Sequence, residues 1–157
     1  MWFDHLGVHL ASINSITFDL ADCSLRQQSA NHRGWMNSAG VAHMLRFYPG
    51  PPDWPFDLND LNAATEYYWQ QCANNGGVML AMEITTVAGA EALRGLFKYR
   101  APLPGSLAMY YLGILWLPFH DCNFQINIEA MESAGQNRQG VADERAVRER
   151  ASNPSRP

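Results

Sequence analysis

Hydrophobic positions in the middle of the chain recur first with a helical period and then with a strand period. Leu58, Leu61, Ala64, Thr65, Tyr68 and Cys72 stand three or four residues apart, which puts them on one side of an amphipathic helix. Asp57, Asn59 or Asp60 can cap its start and Gly76-Gly77 can end it, so the pattern predicts a helix over 58–74. In the preceding Pro49-Gly50-Pro51-Pro52-Asp53-Trp54-Pro55 the four prolines lack N–H donors that a helix or central strand requires, so the segment reads as a stiff connection.

From Gly77 the period changes to two. Val78, Leu80, Met82, Ile84 and Thr86 alternate with Met79, Ala81, Glu83 and Thr85, as in a strand, and Ala88-Gly89-Ala90 supplies a turn. In Glu91 to Arg100, Leu93, Gly95, Phe97 and Tyr99 alternate with Arg94, Leu96, Lys98 and Arg100. The same stretch also fits a helix through Leu93, Leu96 and Phe97; Gly95 and the two aromatics favour the strand. Leu107 to Phe119 is apolar on both sides, as a central strand covered on two faces is. His120-Asp121-Cys122-Asn123 turns the chain, and Phe124, Ile126, Ile128 and Ala130 then alternate with polar neighbours. Separations this short favour an antiparallel meander, because parallel neighbours need long crossovers. The first fifty residues are less regular. Val8–Phe18 and Val41–Tyr48 read as strands, and Asp22–Gly40, rich in Ser, Asn and Gln, reads as a long loop.

These segments predict an α+β domain over 1–132: an antiparallel sheet of five or six strands with one helix packed on a face. The tail, 133–157, lacks aromatics; a short helix over 141–150 and a disordered end are expected there.

Composition narrows the function classes. The chain has 157 residues, 47% of them hydrophobic, which suffices for a single-domain core. Its formal charge of −4 does not fit a phosphate-driven nucleic-acid binder. The longest apolar run, thirteen residues, is too short for a membrane-spanning helix. Met1-Trp2-Phe3-Asp4-His5 does not open as a secretory signal, and Cys23, Cys72 and Cys122 are too few and too scattered for a disulfide framework. A cytoplasmic location is expected.

Catalytic constellations are weak. His5 and His9 have i,i+4 spacing but no H-E-x-x-H context, and Gly7 opposes a helix there. His120-Asp121-Cys122 gathers an imidazole, a carboxylate and a thiol, but successive residues of a turn rarely converge as nucleophile and base. The Gly-containing segments have no phosphate-cradle motif, and spacing does not pair Glu66, Glu83 or Glu129 as acid and base. Catalytic, cofactor and metal residues are therefore all expected to be absent.

One surface stands out. On a strand, Arg94, Lys98 and Arg100 share a face, where they can dock an acidic partner or lie as a solvated strip. Glu83, Gln125, Asn127 and Glu129 are expected on the same face of neighbouring strands. Trp116 and Trp69 are expected in the core. Trp54, in the Pro-rich loop, is expected to be exposed and to serve as an interface anchor.

The Pro-rich loop, the aromatic helix ending in Gly-Gly, the run Gly89-Ala90-Glu91-Ala92-Leu93-Arg94-Gly95-Leu96-Phe97-Lys98 and the segment Tyr111 to Asp121 together resemble an uncharacterised bacterial protein family. The layout over about Val41 to Glu132 is similar to the PsbP-like fold, shared by oxygen-evolving photosystem subunits, a Ran-binding import factor and DcrB-type proteins. The resemblance implies a fold and a tendency toward binding roles, and brings no catalytic motif.

The expected function is a non-catalytic bacterial protein-binding domain acting as adaptor, chaperone or toxin-neutralising immunity protein. Its expected partner is another protein, not nucleic acid or membrane, and its oligomeric state is left open. The alternative is a small-molecule binder or enzyme with a pocket between helix and sheet. Tyr67, Tyr68, Trp69, Tyr110, Tyr111 and Trp116 would line that pocket, and Arg94 or Glu83 would anchor the ligand.

Overall fold

The computed structural model describes residues 11–132. Its strands are β1 (Cys23–Gln28), β2 (His32–Asn37), β3 (Ala42–Pro49), β4 (Val78–Val87), β5 (Ala90–Arg100), β6 (Met109–Pro118) and β7 (Cys122–Met131). They form one seven-stranded sheet in the order β1-β2-β3-β7-β6-β5-β4, with every pairing antiparallel. The single described α-helix, α1 (Leu61–Asn74), packs on one face. The α+β expectation therefore holds, with more strands than the five or six read from the sequence.

Local chemistry explains the helix ends. The Asp60 carboxylate accepts the Ala63 N–H at 3.0 Å, so of the three candidate caps Asp60 is the one used, and the helix starts at Leu61 rather than Leu58. At the other end Gly76 adopts φ +69° and Gly77 N–H donates to the Cys72 carbonyl at 2.9 Å, which closes the last turn. Gly77 has a second reason to lack a side chain: a Cβ there would strike the Tyr99 ring and the Cys72 sulfur.

Residues 91–100 are strand. Leu93, Gly95, Phe97 and Tyr99 stand opposite Trp116, Ile114, Leu112 and Tyr110 of β6, and this set meets α1. A bulge at Leu80 resets the alternation of β4. As a result Met79, Met82 and Ile84 face the helix, whereas Leu80 is largely exposed.

The N-terminal part departs from expectation in two places. Val8–Phe18 is not a strand where it is described: Ile13–Ser15 is a 3-10 turn with Ser12 as its cap. Its apolar residues Ile13, Ile16 and Phe18 pack against the sheet face opposite α1, beside Leu45, Leu117 and Phe124. The 22–40 segment is a β1–β2 hairpin rather than a loop. Five of the six β1 residues are exposed, so no buried face imposes the alternation by which a strand is recognised in sequence. The expected 141–150 helix, the disordered end and the His5–His9 pair lie outside the described residues.

Candidate functional site

The two faces of the sheet carry different chemistry. Under α1, the Tyr68 ring stacks on Trp116 at 4.4 Å, and Trp54 stacks on Phe56 at 5.1 Å. Trp54 Nε1–H donates to the Tyr68 hydroxyl at 2.9 Å. Burial pushes the Tyr68 phenol well above the usual tyrosine range, so it stays a neutral hydroxyl there. Trp54 is accordingly half-buried against this cluster and not the freely exposed side chain expected of a loop tryptophan. Trp69, expected in the core, is instead 54% exposed, because it faces away from Tyr68 on the helix. Tyr68 and Trp116, expected to line a cleft, fill the interface by stacking on each other.

On the opposite face lies a trough of about 620 Å³. Its floor runs across four strands through Ala81, Leu96, Gly113, Leu115, Ile126 and Ile128. Leu96 and Ile128 are 39% and 46% exposed, a large opening for two aliphatic side chains at the middle of a sheet. Gly113 makes the depression: it lies in the cross-strand row with Leu96 and Ile128 and contributes no side chain. A Cβ at Gly113 would meet only the Ile128 carbonyl oxygen, at 3.9 Å.

Glu83 and Arg94, paired across β4 and β5, form an ion pair on the wall of this trough. Further along β5, the Lys98 ammonium lies 5.1 Å from the centre of the Tyr111 ring. Hydrogen bonding to Tyr111 holds the Lys98 pKa above its ordinary value, and Glu132 adds to the effect. Arg100 has the same alternation but sits at the strand end. There it borders a second depression of about 420 Å³ with Asn75, Tyr99, Pro102 and Tyr110. Thus Arg94 and Lys98 share the trough face, whereas the depression beside Arg100 is lined by Tyr99 and Tyr110 of the α1 side.

Three of the expected neighbours belong elsewhere. Gln125, Asn127 and Glu129 stand opposite Trp116, Ile114 and Leu112, which puts them on the α1 side of the sheet. Asn127 is buried and accepts from Gln125 Nε2 at 2.8 Å. Of the four acidic or amide residues expected beside the cationic strip, only Glu83 is there. The trough floor escaped sequence reasoning. Its one visible trace is Gly113 in the middle of an otherwise bulky apolar strand, a known mark of close approach or open space.

At the β6–β7 turn, His120 points into solvent and Cys122 is buried, its thiol pushed up by desolvation with Asp121 adding to the effect. The two do not meet as base and nucleophile, and an activated cysteine would need the opposite pKa shift. Among the described residues no group of three or more His, Cys, Asp or Glu side chains is arranged to hold a metal. No described helix is long and apolar enough to cross a membrane.

No protein-family model matches the chain, and no curated protein matches it. Among solved structures, the Saccharomyces cerevisiae Ran-binding protein Mog1p superposes with a TM-score of 0.52 at 14% identity, covering 78% of this chain and 74% of that one. A mutant of protein Mog1 gives the same values. These findings correct the resemblance drawn from residues 41–132. The uncharacterised bacterial family has no support, and the structural likeness is to Mog1 rather than to PsbP or DcrB proteins. At this identity the likeness is one of fold.

Proposed function

We propose that this chain is a non-catalytic protein-binding domain that docks its partner on the sheet face opposite α1. The observation that carries this reading is the trough: a set of exposed aliphatic side chains flanked by Arg94 and Lys98, on a sheet whose other face is filled by aromatic packing. A partner that fits offers an apolar segment for Leu96 and Ile128 and carboxylates for Arg94 and Lys98. Trp54, held by Tyr68, is an anchor only for a partner that extends around to the helix side. The fold shared with a Ran-binding protein supports a binding role by analogy. Within this class, an adaptor, chaperone or toxin-neutralising immunity role in a bacterial cytoplasm fits best, with all three cysteines free.

A second reading has its own observation. The trough volume lies within the roughly 300–1,000 Å³ typical of small-molecule sites, and Arg94 and Glu83 line it. A ligand would then sit on the open face and not between helix and sheet.

Affinity capture with the wild-type chain and the double variant Arg94→Glu/Lys98→Glu tests the leading reading. The expected result is a partner held by the wild type and lost by the variant, with circular dichroism unchanged. Equal capture by both, or capture by neither together with a small-molecule thermal shift, overturns it.

A further inference from the structure

The two edges of the sheet are protected very differently. β1 has six residues interrupted by a bulge between Leu25 and Gln27, with Arg26, Gln27 and Gln28 along it, devices that discourage pairing. β4 is bulged too, at Leu80, but keeps a regular run from Ala81 to Val87. β4, the other edge among the described residues, has ten residues with no Pro, Lys or Arg. Its single charge, Glu83, is turned to Arg94 of its own sheet. Val78, Leu80 and Val87 are exposed along it.

We propose that β4 pairs with β4 of a second copy, antiparallel and about a two-fold axis at Ile84, joining two sheets into one. The bulge at Leu80 and the turn at Ala88-Gly89 bound a regular run from Ala81 to Val87, and Ile84 is its centre. Pairing about that centre sets Ile84 against Ile84, Met82 against Thr86 of the second copy, Glu83 against its Thr85, and Ala81 against its Val87. Each pair matches a trough-face residue with a trough-face residue, or a helix-side residue with a helix-side residue, as the pleat requires. Moving the axis one residue to Glu83 would place the two carboxylates directly opposite each other, which is unfavourable. The axis at Ile84 avoids this and uses the whole regular run. Such a contact is isologous and closes on itself. It also brings both troughs to one side of the joined sheet, with Thr85 and Val87 of each copy extending the wall of the other, since both residues line the trough.

The register dictates the test, which is sedimentation equilibrium of the full chain from micromolar to millimolar concentration. The wild type is expected to rise from the mass of one chain toward that of two. Thr85→Lys places a cation opposite Glu83 of the second copy twice per dimer and should tighten association by about three- to tenfold. Thr85→Glu should weaken it by a similar factor. Thr85 is only half-buried, and circular dichroism of each variant confirms that it is folded. A wild type that stays monomeric throughout overturns the proposal, as does a partner strand that binds β4 only in the monomer. Two substitutions that both weaken association, or that leave it unchanged, overturn the register and with it the self-pairing through β4.

Discussion

On the α1 side, the sheet is closed by rings: Trp116, Tyr68, Phe97, Trp54 and Phe56 contact one another, and each ring has little freedom left. On the other side, the segment from Ala11 to Phe18 covers one end of the sheet, over Leu45, Leu117 and Phe124, and among the described residues Leu96, Gly113 and Ile128 form an open floor. Both surfaces are apolar, so hydrophobicity alone does not tell them apart. They differ in whether a substitution meets packed atoms or empty space, and that difference separates the part that holds the fold from the part available to a partner.

The largest effect is expected on the closed side. Trp116→Ala removes a ring stacked on Tyr68 and should cost about 3–5 kcal/mol, read as a fall in the denaturant midpoint. The contrast is sharper at two glycines on adjoining strands. A Cβ at Gly95 would lie 2.7 Å from the Phe97 ring and 3.2 Å from the Met82 methyl, so Gly95→Ala should destabilise by about 1–3 kcal/mol. Gly113→Ala meets only one carbonyl at 3.9 Å and should be neutral or stabilise by up to about 1 kcal/mol, because it also restricts the unfolded chain. Equal effects at the two positions would mean that the trough is not open.

How much of this was legible in the sequence follows from the same contrast. β7 was readable because Phe124 and Ile126 are held against one face, and α1 because Ala64, Tyr68 and Cys72 repeat with the helical period. The β1–β2 hairpin was not, since an edge exposed on both sides has no reason to alternate. The strip Arg94–Lys98–Arg100 follows from strand parity within β5 alone. Placing Gln125, Asn127 and Glu129 needed the register between strands, because a sequence records which residues of one strand share a face but not which face of the next strand they join. Trp69 misled for a related reason: its neighbour Tyr68 takes the inward position, and a helix turns about 100° per residue.

Tyr68 sets a smaller test of the closed side. Tyr68→Phe leaves Trp54 Nε1–H without its acceptor and should cost about 1 kcal/mol. Burial raises the Tyr68 pKa in the folded chain above its ordinary value of 10.0, so the folded state keeps the proton longer than the unfolded one. Stability should therefore be level with respect to this group below pH 10 and fall as the pH rises beyond it. Denaturation midpoints across that range should fall less steeply in Tyr68→Phe. The smallest effect belongs to the open side. Arg94→Ala breaks an exposed ion pair with Glu83 and should change stability by no more than about 1 kcal/mol in a thermal melt.

The central claim is that the open face, and not the helix face, meets the partner. Photo-crosslinking tests it most directly, with a benzophenone side chain placed at Leu96 on the trough floor or at Gln70 on the exposed side of α1. Irradiation in a lysate of the source cell should yield a defined higher-mass adduct from position 96, suppressed by Arg94→Glu/Lys98→Glu, and none from position 70. An adduct from position 70 alone, or one from position 96 that is indifferent to the charge reversal, would contradict the account.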